Sequence, residues 1–153
     1  MGIAVGIDLG TKNTVVAAVV DGVATTLADE HGRRLLPSVV SFHPSGNILV
    51  GDLARERRIV DPENTVYSVK RLLGRSYGTP EVQQARPRFP FPLVQGPRDA
   101  VLVEARGQRY TLPEVSAFVL RRAKAIAEFA LGETVDTAVI TVPANFNELQ
   151  RAS

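Results

Sequence analysis

The stretch GIDLGTKNT at residues 6–14 carries residue types that could bind a nucleotide. Asp8 stands just before a Gly-Thr-Lys-Asn turn, and apolar residues lead into the turn and away from it. Such a turn directs several backbone N–H groups into one concavity, which suits a chain of phosphates. Because a bare carboxylate would repel phosphate, Asp8 fits this interpretation if Mg²⁺ and its water molecules lie between the two. The alternative is an ordinary hairpin whose aspartate only caps the turn.

Lysine is rare enough in this chain that each lysine is a candidate for a specific role. Of the 18 lysine and arginine residues only three are lysines, Lys12, Lys70 and Lys124, and the other 15 are arginines. Lys12 belongs to the turn, and Lys70 lies on a predicted short helix. Lys124 lies on the face of a predicted long helix, and compositional drift explains it best.

The elements next to the turn are predicted from hydrophobic periodicity. Strands over residues 3–9, 14–20 and 23–27 form a meander. A helix over residues 113–131 has apolar residues at spacings of three and four. An apolar strand over residues 135–142 follows, and we expect it to be a buried central strand. Together these elements predict an α/β fold.

A smaller subdomain is predicted between the meander and the long helix. It begins with two strands, at residues 38–42 and 48–50, and continues with a short helix from Asp52. A second short helix starts at Thr65 and carries Lys70. These elements make the inserted part a mixture of helix and strand.

The second half of the inserted part is rich in proline. Residues 78–99 hold five of the ten prolines, and we expect them to be irregular because proline removes backbone donors. Residues 101–105 and 108–111 flank an Arg-Gly turn and are predicted to form a hairpin.

Composition and charge narrow the class of protein. The 153 residues are 44% hydrophobic and 22% charged, which is typical of a globular domain with a real core. The formal net charge of +2 gives no electrostatic case for binding nucleic acid or an anionic membrane. There is no apolar run long enough to span a membrane, no signal-peptide pattern and no cysteine. We therefore expect a cytoplasmic protein that binds neither nucleic acid nor membrane.

Three separated motifs resemble one family, the heat shock protein 70 (seventy-kilodalton heat-shock chaperone) family. They are GIDLGT at residues 6–11, VKRLLGR at 69–75 and ITVPANFN at 140–147. LPSVVSF at 36–42 and NTV at 64–66 fit the same family. The first motif also occurs in actin-like and sugar-kinase ATPases, whereas the second and third are specific. The resemblance covers the whole chain, most loosely in its proline-rich segment.

The resemblance implies an actin-like ATPase fold, in which two lobes flank a nucleotide cleft. This chain resembles the first lobe of the N-terminal ATPase domain. Residues 1–36 and 113–153 would form its ribonuclease-H-like base, and residues 37–112 an inserted smaller α+β subdomain. The second lobe, the family's usual catalytic glutamate and the peptide-binding domain would lie beyond Ser153. We therefore expect a fragment that is inactive as an ATPase by itself.

The resemblance also implies which residues bind the nucleotide. Asp8 would hold a water molecule of Mg²⁺. The phosphates of ATP or ADP would be held by the residues of the turn, which are Gly10, Thr11, Lys12 and Asn13.

Three further residues match functional positions of the family. Lys70 matches the catalytic lysine, which reaches from the inserted subdomain towards the γ-phosphate and the attacking water. A lysine suits that role because its ammonium is a compact charge that stabilises developing negative charge. Pro143 and Arg151 match positions that relay the nucleotide state to the interdomain linker. The structural alternatives are a solvated lysine, a proline that ends a strand and a solvated arginine.

The function implied is that of a molecular chaperone which couples ATP binding and hydrolysis to the binding of unfolded polypeptides. Its partners would be those client polypeptides, a J-domain co-chaperone and a nucleotide-exchange factor. The chain departs from the family at Lys12, where threonine is usual, at Asn145, where tyrosine is usual, and at Glu148, where aspartate is usual. These departures indicate a divergent member and leave its turnover open.

Two alternative functions remain at this point. One is a non-hydrolysing, nucleotide-dependent interaction module, which the departures at Lys12 and Asn145 favour. The other is a sugar or small-acid kinase of the same superfamily. The motif around Lys70 argues against the kinase.

Overall fold

The computed structural model describes residues 3–141, 150 and 152. The chain begins with three antiparallel strands, β1 (Ile3–Leu9), β2 (Asn13–Val20) and β3 (Val23–Thr26). A two-residue strand, β4 (Leu36–Pro37), pairs with the start of β2. Alternate residues of β1 are buried, as expected for a sheet with one covered face. The predicted meander is confirmed.

Residues 39–111 contain two smaller sheets of three strands each. In the first, β5 (Val39–Phe42) lies between β6 (Ile48–Val50) and β7 (Thr65–Tyr67), and helix α1 (Asp52–Val60) follows β6. Helix α2 (Pro80–Ala85) precedes the second sheet. In that sheet β9 (Val101–Ala105) lies between β8 (Leu93–Gln95) and β10 (Gln108–Thr111). The predicted hairpin of β9 and β10 is confirmed.

The helix predicted from Thr65 is wrong. Thr65 and Val66 are buried strand residues that pair with β5, since β-branched side chains pack well on a pleated surface. A left-handed residue, Ser68 with φ 58°, then turns the chain into a short 3₁₀ helix, Val69–Leu72. Lys70 lies on that short helix.

The prediction that residues 78–99 are irregular holds only in part. Pro80 occupies the first turn of α2, where its missing N–H leaves no hydrogen bond unmade. The same segment contains β8, whose Leu93 is buried in the second small sheet. Prolines therefore set the boundaries of short elements here instead of preventing them.

The long helix α3 (Leu112–Leu131) agrees with its prediction. A capping box opens it: the Thr111 side chain accepts from the N–H of Glu114, and the Glu114 side chain accepts from the N–H of Thr111. Gly132 ends it with φ 67°. One face of the helix is buried and packs on β1, β2 and the smaller sheets.

The strand after α3, β11 (Val135–Thr141), pairs in parallel with β1 and belongs to the same sheet as the meander. Its predicted position as a buried central strand is wrong. Within the described residues β11 lies at the edge of the sheet, and Val139 and Ile140 are 68% and 42% exposed. Apolar residues on both faces favour a strand, but they do not fix its place in a sheet.

One continuous cluster of buried apolar side chains joins the sheets to α3. Phe42 of β5 stacks on Tyr110 of β10 at 4.5 Å between ring centroids and meets Phe118 of α3 edge-on at 6.0 Å. The division into a base of 1–36 and 113–153 and a subdomain of 37–112 stays a prediction.

None of the helices in the described part of the chain is long and apolar enough to cross a membrane.

Candidate functional site

The turn between β1 and β2 depends on Gly10. A Cβ atom on Gly10 would lie 2.1 Å from the backbone oxygen of Asn13, so a side chain does not fit. The N–H of Gly10 donates to the carbonyl oxygen of Asp8 at 3.1 Å. The backbone N–H groups of Thr11 and Lys12 donate to no group in the part of the chain that the structure describes. The turn therefore offers two open donors to a ligand.

Ser38 fixes this turn from the neighbouring segment, and the sequence analysis did not identify it. The N–H of Ser38 donates to the carbonyl oxygen of Lys12 at 2.8 Å, and its hydroxyl donates to that of Gly10 at 2.9 Å. The buried hydroxyl of Thr14 lies 2.9 Å from the Ser38 hydroxyl. The only sign in the sequence was a polar residue inside the apolar motif at 36–42.

Asp8 lies at the end of β1, between Val15 of β2 and Thr141 of β11. The hydroxyl of Thr141 donates to one carboxylate oxygen of Asp8 at 2.9 Å. Asp8 is exposed, and no group of three or more acidic or histidine residues that could hold a metal occurs among the described residues. A single carboxylate fits Mg²⁺ that keeps most of its water molecules, so the residues present suit the predicted ion.

Lys70 reaches this turn from 61 residues away in sequence. Its ammonium donates a hydrogen bond to the carbonyl oxygen of Leu9, the residue before Gly10. Burial lowers the pKa of Lys70 below the ordinary lysine value of 10.5, and the negative charge of Asp8 opposes that shift. Lys70 is therefore a half-buried residue that contacts the turn, and not a solvated one. Its catalytic role stays a prediction.

A cleft of about 600 Å³ opens beside the turn. Thr11 and Lys70 line it together with Gln150, and residues of the segment 68–89 form the remaining wall. Six of the nine described side chains on that wall are polar or charged, and the nine are Ser68, Arg71, Leu72, Arg75, Glu81, Gln84, Ala85, Arg88 and Phe89. No sequence pattern identifies its arginines, because a chain so rich in arginine gives no signal for a particular one.

The remaining predicted site residues divide into two groups. Lys12 and Asn13 are exposed at the turn, where the sequence placed them. Pro143 and Arg151 lie outside the described residues, as do the two departures at Asn145 and Glu148. Among the described residues, the fold brings together Asp8, Gly10, Thr11 and Lys70.

The family model described as Hsp70 protein matches residues 4–153. The match includes the turn, the segment that carries Lys70 and the strand that supplies Thr141.

Proposed function

Since this chain belongs to the Hsp70 protein family and matches its N-terminal ATPase lobe, we propose that it binds the phosphates of Mg-ATP for a chaperone. In the full-length protein, ATP binding and hydrolysis would control the binding of unfolded polypeptides. The family itself is one of nucleotide-binding chaperones with ATPase activity. The coupling to peptide is our proposal for this member.

The observation that carries the proposal is the contact of Lys70 with the turn. A lysine ammonium held on the Leu9 carbonyl oxygen lies beside two backbone N–H groups that have no partner among the described residues. A cation and open N–H donors from distant parts of the sequence are what a phosphate group requires. The alternative of an ordinary hairpin, whose aspartate only caps the turn, does not explain why Lys70 contacts that turn.

Each residue of the site has a distinct task in this proposal. The N–H groups of Thr11 and Lys12 would hold phosphate oxygens before the reaction. Asp8, oriented by Thr141, would accept a hydrogen bond from a water molecule of the metal ion. Bound Mg²⁺ would neutralise charge on the β- and γ-phosphates. Lys70 would act mainly in the transition state, because negative charge then spreads over the γ-phosphoryl oxygens and its ammonium would stabilise that charge.

We propose that the whole protein has the two-lobed, actin-like architecture, with the base and inserted subdomain divided as predicted above. Pro143 and Arg151 would relay the nucleotide state to the interdomain linker. A J-domain co-chaperone and a nucleotide-exchange factor would act on the cycle. A cytoplasmic location stays a prediction.

A non-hydrolysing, nucleotide-dependent interaction module is the second candidate. The observation that favours it is the exposed Lys12 at the turn, where the family usually has threonine. A second cation there could tighten nucleotide binding or compete with the metal ion. The matched segment around Lys70 makes the sugar-kinase alternative the weakest of the three.

Steady-state ATP turnover of the full-length protein, with and without unfolded peptide, distinguishes these functions. The chaperone proposal predicts turnover that unfolded peptide stimulates. Tight binding of Mg-ATP without turnover would favour the interaction module. ATP turnover that requires a sugar or small acid, at a rate that unfolded peptide does not change, would contradict the proposal.

A further inference from the structure

Three arginines form one wall of the cleft that contains Thr11 and Lys70. They are Arg71, Arg75 and Arg88, and we call them the basic wall. Arg71 continues the short helix that carries Lys70, and Arg88 belongs to a 3₁₀ turn that follows α2. The basic wall therefore lines the same cleft as Lys70, beside the predicted γ-phosphate position.

The charges of the basic wall are largely unbalanced. Arg71 and Arg88 make no ion pair or hydrogen bond within the described residues. Arg75 lies 3.6 Å from Glu81, but these side chains are 32% and 52% exposed, so the pair is weak. Glu81 is the one carboxylate among the described residues that line the cleft. Within the described lining, the three arginines therefore face a single carboxylate.

An uncompensated group of guanidinium ions is suited to an oxyanion. Guanidinium groups offer forked N–H donors that match phosphate geometry, and they remain charged at all physiological pH values. A cleft of about 600 Å³ leaves room for a phosphate ion beyond the turn. The ligand class that fits the basic wall is therefore a small, multiply charged oxyanion.

We propose that the basic wall is a transient subsite for the inorganic phosphate that hydrolysis produces. This inference rests on the proposed function, since hydrolysis of ATP is the source of the ion. Cleavage of the bond between the γ-phosphorus and its bridging oxygen, with addition of water, leaves phosphate next to Lys70. The ion then leaves the turn along the wall, and Arg75 and Arg88 hold it before it reaches solvent.

Arg88 is the residue whose removal tests the subsite most cleanly, because it is exposed and has no partner among the described residues to disturb. Arg88→Gln should weaken the affinity of the ADP-bound full-length protein for inorganic phosphate about threefold, the scale of one partly solvated ion pair. Arg75→Gln combined with Arg88→Gln should weaken it roughly tenfold if the two contributions add. Raising the ionic strength should reduce both differences.

The matched control is Arg98→Gln. Arg98 is an exposed arginine of the same inserted part and does not line the cleft. The Arg98→Gln substitution removes the same net charge from the protein as Arg88→Gln does. It therefore separates the loss of binding at the basic wall from a general effect of charge. Its phosphate affinity should equal that of the parent.

Single-turnover kinetics of the full-length protein completes the test. Quenched samples give the rate at which bound ATP is cleaved, and a fluorescent phosphate sensor gives the rate at which phosphate appears. The two time courses are fitted as consecutive steps, and the ratio of the release rate constant to the cleavage rate constant should rise about threefold in Arg88→Gln and stay unchanged in Arg98→Gln.

The two rates also separate the possible failures. Absence of cleavage in the parent would overturn the proposed function and the subsite with it. Normal cleavage in the parent, with the same phosphate affinity and release ratio in Arg88→Gln and Arg98→Gln, would overturn the subsite alone.

Discussion

At the scale of single residues, Gly10 sets the shape of the turn that we propose to bind phosphates. Its missing side chain allows the backbone oxygen of Asn13 to approach where a Cβ atom would lie, at 2.1 Å. Gly10→Ala must open the turn, and forced repacking of this kind costs about 1–3 kcal/mol. We expect lower stability in chemical denaturation and, by calorimetry, weaker binding of Mg-ATP to the full-length protein.

Gly6→Ala is the control for that substitution. Gly6 lies in β1, the strand that leads into the turn, and the nearest atom to an added Cβ is the Ala17 carbonyl oxygen at 4.0 Å, an ordinary distance. This variant should keep the nucleotide affinity and should be as stable as the parent or slightly more stable. Equal losses of affinity in both variants would contradict the account of the turn.

Lys70 gives a prediction about pH. Burial lowers its pKa below 10.5, so between that lowered value and 10.5 the unfolded chain binds more protons than the folded one. The free energy of unfolding contributed by Lys70 therefore rises with pH in this alkaline window. The stability of the nucleotide-free parent relative to Lys70→Gln should increase as the pH approaches 10.5 from below. Lys124→Gln, an exposed substitution on α3, is the control and should not reproduce that increase.

At the scale of elements, β4 and the residue after it hold the turn in place. Ser38 supplies the hydroxyl that joins the carbonyl oxygen of Gly10 to the buried hydroxyl of Thr14. Ser38→Ala removes both contacts and leaves Thr14 without this partner, which costs about 1–3 kcal/mol. We expect the full-length variant to bind Mg-ATP more weakly, and Ser38→Thr to restore part of the affinity because it keeps the hydroxyl.

Ser41→Ala is a control of matched chemistry. Ser41 and Thr65 share a buried hydrogen bond of 2.9 Å between β5 and β7, away from the turn. Its loss should lower stability by a similar amount and leave nucleotide affinity unchanged. If both serine variants lost affinity in proportion to stability, Ser38 would have no specific role at the site.

Periodicity was sufficient to predict the elements with long regular patterns. The meander and α3 follow from alternation and from spacings of three and four. Thr65 was misread because a polar residue before an apolar run is typical of helix starts and of strands alike. The edge position of β11 depends on pairing between distant segments, which local sequence does not report.

At the scale of the whole molecule, the candidate site is assembled from segments that are distant in sequence. Sequence motifs identify these segments but do not show that they contact one another. The motifs identified Asp8, the turn and Lys70 separately. That Lys70 donates to the Leu9 carbonyl oxygen, and that Ser38 holds the turn, follows only from how the segments pack. The basic wall had no motif at all.

The 153-residue chain by itself should bind Mg-ATP weakly. The described residues form one side of a cleft that is open to solvent, whereas tight sites enclose most of the surface of their ligand. Calorimetry with Mg-ATP should show weak binding or none, and steady turnover should be absent. Sub-micromolar affinity together with turnover would contradict this expectation.

The most direct test of the account is single-turnover hydrolysis of ATP bound to the full-length Lys70→Ala variant. We expect hydrolysis to slow by roughly a hundredfold or more, as when one preorganised donor is lost, while nucleotide affinity changes far less. Lys124→Ala should match the parent, and Lys12→Thr should alter affinity or metal dependence but leave hydrolysis largely intact. Hydrolysis by Lys70→Ala at the parent rate would contradict the assignment of Lys70 and of the site built around it.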